Sequence, residues 1–170
     1  LLPLIDGQTD PTIATYAKEG ECSLRIASKR ATKKEAAAAV DRMIEDVNQL
    51  IGEYIYSYDD EELIEVVGKL LLKKHITVSC AESCTGGLFA AALTDIPGIS
   101  EVFERGIVTY SNRAKMEELG VKAETLDKFG AVSPKTACEM AAGLAEKTGS
   151  DLCISVTGIA GPGGGTDEKP

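Results

Sequence analysis

The stretch ITVSCAESCTGGLFAAALTD, residues 76–95, decides the fold. Its first part, Ile76–Ala81, opens on three β-branched residues and goes on in small ones, which reads as a strand. Its last part, from Gly87 to Asp95, is an alanine-rich helix. Between them the turn Glu82-Ser83-Cys84-Thr85-Gly86-Gly87 carries a carboxylate, a hydroxyl, a thiol and two glycines. A strand feeding directly into a helix through such a turn opens a βα unit. Glycines allow the tight turn and let backbone N–H groups approach a ligand. The unpaired N–H groups at the start of the helix are suited to an anion or a developing oxyanion. The plainer reading is that Ser83 or Thr85 merely caps the helix.

Outward from this unit the chain keeps alternating. Residues 59–75, DDEELIEVVGKLLLKKH, form a helix that is acidic at its start and basic at its end, as the helix dipole favours. RGIVTYS (105–111) reads as a second strand, followed by short helices at 112–120 and 123–130. SPKTACEMAAGLAEKTG (133–149) is a longer helix with Ser133 as cap and Pro134 in its first turn. SDLCISVTG (150–158) is a further apolar strand ending in the glycine-rich segment 158–165. Strands alternating with helices predict an α/β domain, a mostly parallel sheet with helices on both faces, over residues 58–170.

Residues 1–57 read differently. TIATYA (12–17) and CSLRIAS (22–28), separated by KEGE, form a β-hairpin. A helix begins at Thr32, where Glu35 completes a capping box and Val40, Ile44, Val47 and Ile51 make one apolar stripe. YIYSY (54–58) adds a short strand, giving a small α+β domain.

Composition narrows the function. The 170 residues carry a formal net charge of −9, which repels a phosphate backbone and makes nucleic acid an unfavourable partner. No apolar run approaches the ~20 residues of a membrane span. Five cysteines without a CxxC pair or regular spacing read as reduced thiols of a cytoplasmic protein. A single histidine, His75, removes most histidine-based metal sites, and neither metal nor cofactor is expected. The chain begins without methionine and reads as a fragment or a processed chain.

In open α/β sheets, ligands gather beyond the carboxyl ends of the strands. The segments 82–87, 109–115 and 157–165 all belong at that end. A serine nucleophile needs a base, and His75 is at the wrong edge: the strand after it carries the chain about 20 Å before Ser83. Lys115, just past the strand ending at Tyr110, is the better placed base, provided that desolvation lowers its pKa. Tyr110 and Ser111 could relay a proton. Cys84 is the competing nucleophile, and strand alternation implies that it and Ser83 do not both face the crevice. The loop from Gly158 through Gly161, Gly163 and Gly164 has the composition of a phosphate cradle but neither the Walker A nor the dinucleotide order.

Four segments carry a resemblance: AESCTGG (81–87), FERGIVTYSNRAK (103–115), GAVS (130–133) and SVTGIAGPGGGTDEKP (155–170). Together they resemble the C-terminal domain of the CinA family, a domain shared with bacterial nicotinamide-nucleotide amidases. Residues 1–57 resemble the KH-like middle domain of that family, although no clear GxxG loop is present. The resemblance implies hydrolysis of the carboxamide of nicotinamide mononucleotide to nicotinate mononucleotide and ammonia, without a metal. It implies Ser83 as nucleophile, Lys115 as base, Tyr110 as an assisting group and Thr85 with the helix-start amides at the oxyanion. Glu82, Gly86, Gly87, Thr157, Gly158, Gly161, Gly163 and Gly164 would bind the nucleotide, in a homo-oligomer. It also implies further strands and a closing helix after Pro170, and a pyrophosphatase-like domain upstream.

Overall fold

The computed structural model describes residues 1–18 and 20–166. Glu19 of the KEGE turn and the DEKP end of the last quoted segment lie outside them. The chain divides into two compact units, Leu1–Glu62 and Leu63–Pro170.

In the first unit a short helix α1 (Leu2–Asp6) precedes β1 (Thr12–Ala17) and β2 (Cys22–Ala27). The two strands pair antiparallel from Thr12↔Ala27 to Ala17↔Cys22. Helix α2 (Lys33–Ile51) starts at a full capping box, in which the Glu35 N–H donates to Thr32 Oγ1 and the Thr32 N–H to Glu35 Oε2. Ala39 and Val47 are buried on its inner face and Ile13 on the hairpin. Residues 54–58 are not a strand: Gly52–Tyr54 tighten into a 3₁₀ turn, and the following segment is irregular. Alternating tyrosines have strand propensity, but a strand needs a ladder partner. Here Tyr58 instead donates its hydroxyl to Asn48 Oδ1 at 2.9 Å, folding the segment back on α2.

The second unit runs α3 (Leu63–Lys74), β3 (Val78–Glu82), α4 (Leu88–Thr94), β4 (Phe103–Val108), α5 (Asn112–Leu119), α6 (Ala123–Phe129), α7 (Pro134–Thr148) and β5 (Leu152–Val156). The sheet order is β4-β3-β5, all parallel. Every residue of β3, Ser79 and Glu82 included, is buried, because the strand is central, with β4 and β5 on its two edges and helices on both faces. Alternation sends Val78 into a core with Leu71, Leu93, Ile96, Ile99 and Val102 on the α3–α4 side. It sends Ala81 to the opposite face, with Leu119, Val121, Leu126, Met140 and Leu144 of the α5–α7 side. The fold is therefore α/β with helices on both faces of a parallel sheet.

Several bounds differ from the sequence reading; β3 runs Val78–Glu82 and β5 Leu152–Val156. Helix α3 begins at Leu63, after the run of acidic residues rather than within it. Strand β4 ends at Val108, because the Thr109 N–H donates the last ladder bond to Glu82 O at 2.7 Å and the chain then turns into α5. Ser111 caps that helix, its hydroxyl accepting from the Ala114 N–H.

Candidate active site

Because β3 is central, the helix after it crosses one face and the helix after β4 crosses the other. The crevice opens between those diverging connections, beyond the carboxyl ends of the strands. The Thr109 N–H donates to Glu82 O and the Ser83 N–H to Val156 O at 2.9 Å, so all three strand ends are tied at one level. A cleft of about 320 Å³ lies there. Ser83 and Cys84 border it after β3, Tyr110 and Lys115 after β4, and Thr157 to Gly161 with Gly163 after β5.

Contacts show which way each side chain goes. Glu82, the last residue of β3, turns to the start of α4, and Ser83, the first residue of the turn, faces Lys115, which enters from the first turn of α5. The Lys115 Nζ lies 2.8 Å from Ser83 Oγ, 2.7 Å from Thr109 O and 3.4 Å from Tyr110 O. Lys115 is 0% exposed and has no carboxylate partner among the described residues. Burial pushes its pKa below the ordinary lysine value, with the neighbouring Cys84 sulfur opposing the shift. As a neutral amine, Lys115 has two N–H bonds for the two carbonyls and a lone pair for the Ser83 hydroxyl proton. That is the stereochemistry of a general base.

Glu82 is not in the cleft. It is 1% exposed, and its carboxylate accepts from the N–H groups of Gly87 (3.1 Å), Phe89 (3.0 Å) and Ala90 (2.9 Å). Burial alone would raise its pKa, but these bonds, with the Thr85 hydroxyl nearby, outweigh burial and hold it below the usual carboxylate range. The Cys80 thiol donates to the same carboxylate at 3.7 Å and is pushed up to about 12 by burial and by that negative charge. The helix-start amides expected to hold an oxyanion are thus already occupied. Thr85 belongs with this cluster: its buried hydroxyl has no hydrogen-bond partner at proper geometry. Gly86 and Gly87 serve the turn, with φ of +61° and +107°, and do not border the cleft.

The other expected residues divide similarly. Cys84 and Ser83 both border the cleft, against the alternation argument, because β3 ends at Glu82 and the turn no longer follows the pleat. A Cβ on Gly158 would stand 3.2 Å from Cys84 Sγ, so the glycine loop passes close above the thiol. Thr157 donates its hydroxyl to Ala131 O at 2.8 Å, which ties the end of β5 to the loop between α6 and α7. Tyr110 is 74% exposed, and its hydroxyl makes no hydrogen bond to the Ser83–Lys115 pair. His75 is an exposed residue at the end of α3, at the other end of β3, with φ of +52°. Three residues inside quoted segments were given no role by the sequence reading: Ala131 and Val132 form a wall, and the Thr109 carbonyl holds the amine. The helix stop at Gly130 next to the helix start at Ser133 marks 131–132 as a loop; backbone carbonyls leave no trace in a sequence.

Among the described residues no cluster of His, Cys, Asp and Glu is arranged to hold a metal, and no helix is long and apolar enough to cross a membrane.

Comparison with known proteins adds an independent line. The family model described as the CinA C-terminal domain matches residues 60–170, and that of the damage-inducible protein CinA KH domain matches residues 1–57. A CinA-like protein of Kosmotoga olearia is 52% identical over 167 residues, 98% of this chain and 40% of that protein. The chain thus spans about two fifths of the length of the curated relatives it matches. Among solved structures, a competence/damage inducible protein from Agrobacterium tumefaciens is 48% identical with a TM-score of 0.61, covering 67% of this chain and 72% of that one. A CinA superfamily protein from Klebsiella pneumoniae is 40% identical with a TM-score of 0.60, covering 64% and 68%.

Proposed function

The chain belongs to the CinA family, and from that premise we propose that its second unit hydrolyses the carboxamide of nicotinamide mononucleotide to nicotinate mononucleotide and ammonia. The observation that carries this reading is the hydrogen bond of 2.8 Å between a fully buried lysine amine and Ser83 Oγ, at the floor of an open cleft. The neutral Lys115 amine takes the Ser83 proton as Oγ bonds to the carboxamide carbon. The resulting ammonium then gives a proton to the departing nitrogen, which leaves as ammonia, and an acyl ester remains on Ser83. In the second half Lys115 deprotonates a water that attacks the ester, and the proton returns to Ser83 as the carboxylic acid leaves.

The N–H groups of Cys84 and Thr85 have no intramolecular acceptor among the described residues, which supports them as donors to the oxyanion. Tyr110, exposed on the rim, covers the pyridine ring, and the loop from Gly158 to Gly164 holds the phosphate. All five cysteines are free, which supports a cytoplasmic setting. A homo-oligomer, expected from the resemblance, is checked by sedimentation.

The test is ammonia release from nicotinamide mononucleotide by the full-length protein. Ser83→Ala and Lys115→Ala should each abolish it; full activity in either variant excludes the mechanism. The glycine loop on the cleft wall favours one rival, a nucleotide-binding accessory module. Nucleotide that binds and is returned intact would support that rival.

A further inference from the structure

Glu82 is a buried charge beside the proposed nucleophile that the reaction above leaves without a task. Its main chain is fixed to the sheet, its carbonyl accepting from the Thr109 N–H and the following Ser83 N–H bonding to Val156 O. Its side chain is fixed to the other element: three N–H groups of Gly87, Phe89 and Ala90 converge on the carboxylate, with the Cys80 thiol behind. Ser83 is therefore the first residue of a ring that residue 82 closes onto residues 87–90. Besides the Glu82 carboxylate, the turn is held by two backbone bonds, from the Gly86 N–H to Ser83 O and from the Leu88 N–H to Thr85 O, each 3.1 Å. Gly86 and Gly87 sit in the left-handed region, and α4 has only seven residues, too few to hold its own first turn.

We propose that Glu82 is a positioning residue for Ser83: its carboxylate pins the start of α4 to the end of β3 and so fixes the Ser83 hydroxyl opposite the Lys115 amine. The same contact fills the α4 amides from within, so that neither a substrate phosphate nor a product carboxylate is drawn behind the nucleophile. This inference rests on the reading of Ser83 as the nucleophile and adds a residue that touches no reacting atom.

The test uses the full-length protein with Glu82→Gln, which keeps the shape but turns an amide NH₂ toward the helix N–H groups. Two rates are read, ammonia release and labelling of Ser83 by a fluorophosphonate probe. Both should fall by about 100-fold, the scale of a slight misplacement of a reacting group, with KM within about threefold of the parent. Glu82→Ala should lose as much and recover about tenfold in formate, whose carboxylate can occupy the vacated position, with no effect of formate on the parent. If Glu82→Gln does not fold, Glu82→Asp, which keeps the charge but retracts it, is read by the same two rates. A rate within twofold of the parent, a loss carried by KM, or an Ala variant that formate leaves untouched overturns the proposal. A parent that is labelled at Ser83 but releases no ammonia sinks only the substrate reading, and the labelling rates still decide the role of Glu82. A parent that is not labelled sinks both.

Discussion

At the scale of single residues, the site turns on how Lys115 carries a proton. Its folded pKa lies below the ordinary value of 10.5, and burial is the main cause. The neutral base is therefore populated as pH rises through that lowered pKa. We expect kcat/KM for ammonia release to fall on the acid side with a midpoint below 10.5, and Lys115→Met to remove at least a ~100-fold share of the rate. Stability should follow the same group. Between the folded and unfolded pKa values the unfolded chain holds more protons, so unfolding free energy rises with pH across that window. Unfolding by urea at a series of pH values should show this slope in the parent and lose it in Lys115→Met; an unchanged slope would mean that the amine is solvated. The nearness of Lys115 to Ser83 is legible in the sequence, because β3 and β4 are parallel neighbours and their following turns share one edge. The task of Glu82 is not. The same acidic residue before a serine would face a ligand or its own helix according to where β3 ends, and one residue of register decides it.

At the scale of elements, the placement of α5 is set by its crossing with α7. A Cβ on Gly143 of α7 would stand 1.8 Å from the carbonyl oxygen of Leu119, the last residue of α5, with backbone that has no rotamer to yield. Glycine is required here by close approach, and α5 carries Lys115. Gly143→Ala should force the helices apart, cost about 3 kcal/mol or more of unfolding free energy, and lower kcat through the displaced amine. Gly52→Ala, whose Cβ would meet Asn48 only at 3.5 Å, serves as the control and should change neither reading. Equal behaviour of the two variants in thermal unfolding and in ammonia release would contradict the packing argument. Helices with clear caps, such as those opening at Thr32 and Ser133, are written in local sequence and form as read. The tyrosine segment at 54–58 misleads because strand propensity is local while a ladder partner is not. Gly143 is silent in the sequence for the same reason: what it meets lies 24 residues away.

At the scale of the whole molecule, the two units differ in how much they bury. Among the described residues, the buried apolar side chains of Leu1–Glu62 are Ile13, Ala39 and Val47, whereas Leu63–Pro170 has a core on each face of its sheet. A unit of some sixty residues with so thin a core sits near the lower limit of independent stability. The second unit contains every residue of the cleft. Damage to the first core should therefore unfold its own unit and spare the chemistry. Val47→Ala removes two buried methyl groups from α2 and should cost the first unit about 1–3 kcal/mol. Trypsin should then cut readily at Lys29 and Arg30, between β2 and α2, while ammonia release per molecule stays at the parent level. Leu93→Ala, in the core under α4, should by contrast lower stability and turnover together. If Val47→Ala instead reduced turnover in step with its proteolysis, the first unit would be supporting the active site rather than merely accompanying it, and the assignment of catalysis to the second unit alone would have to be withdrawn.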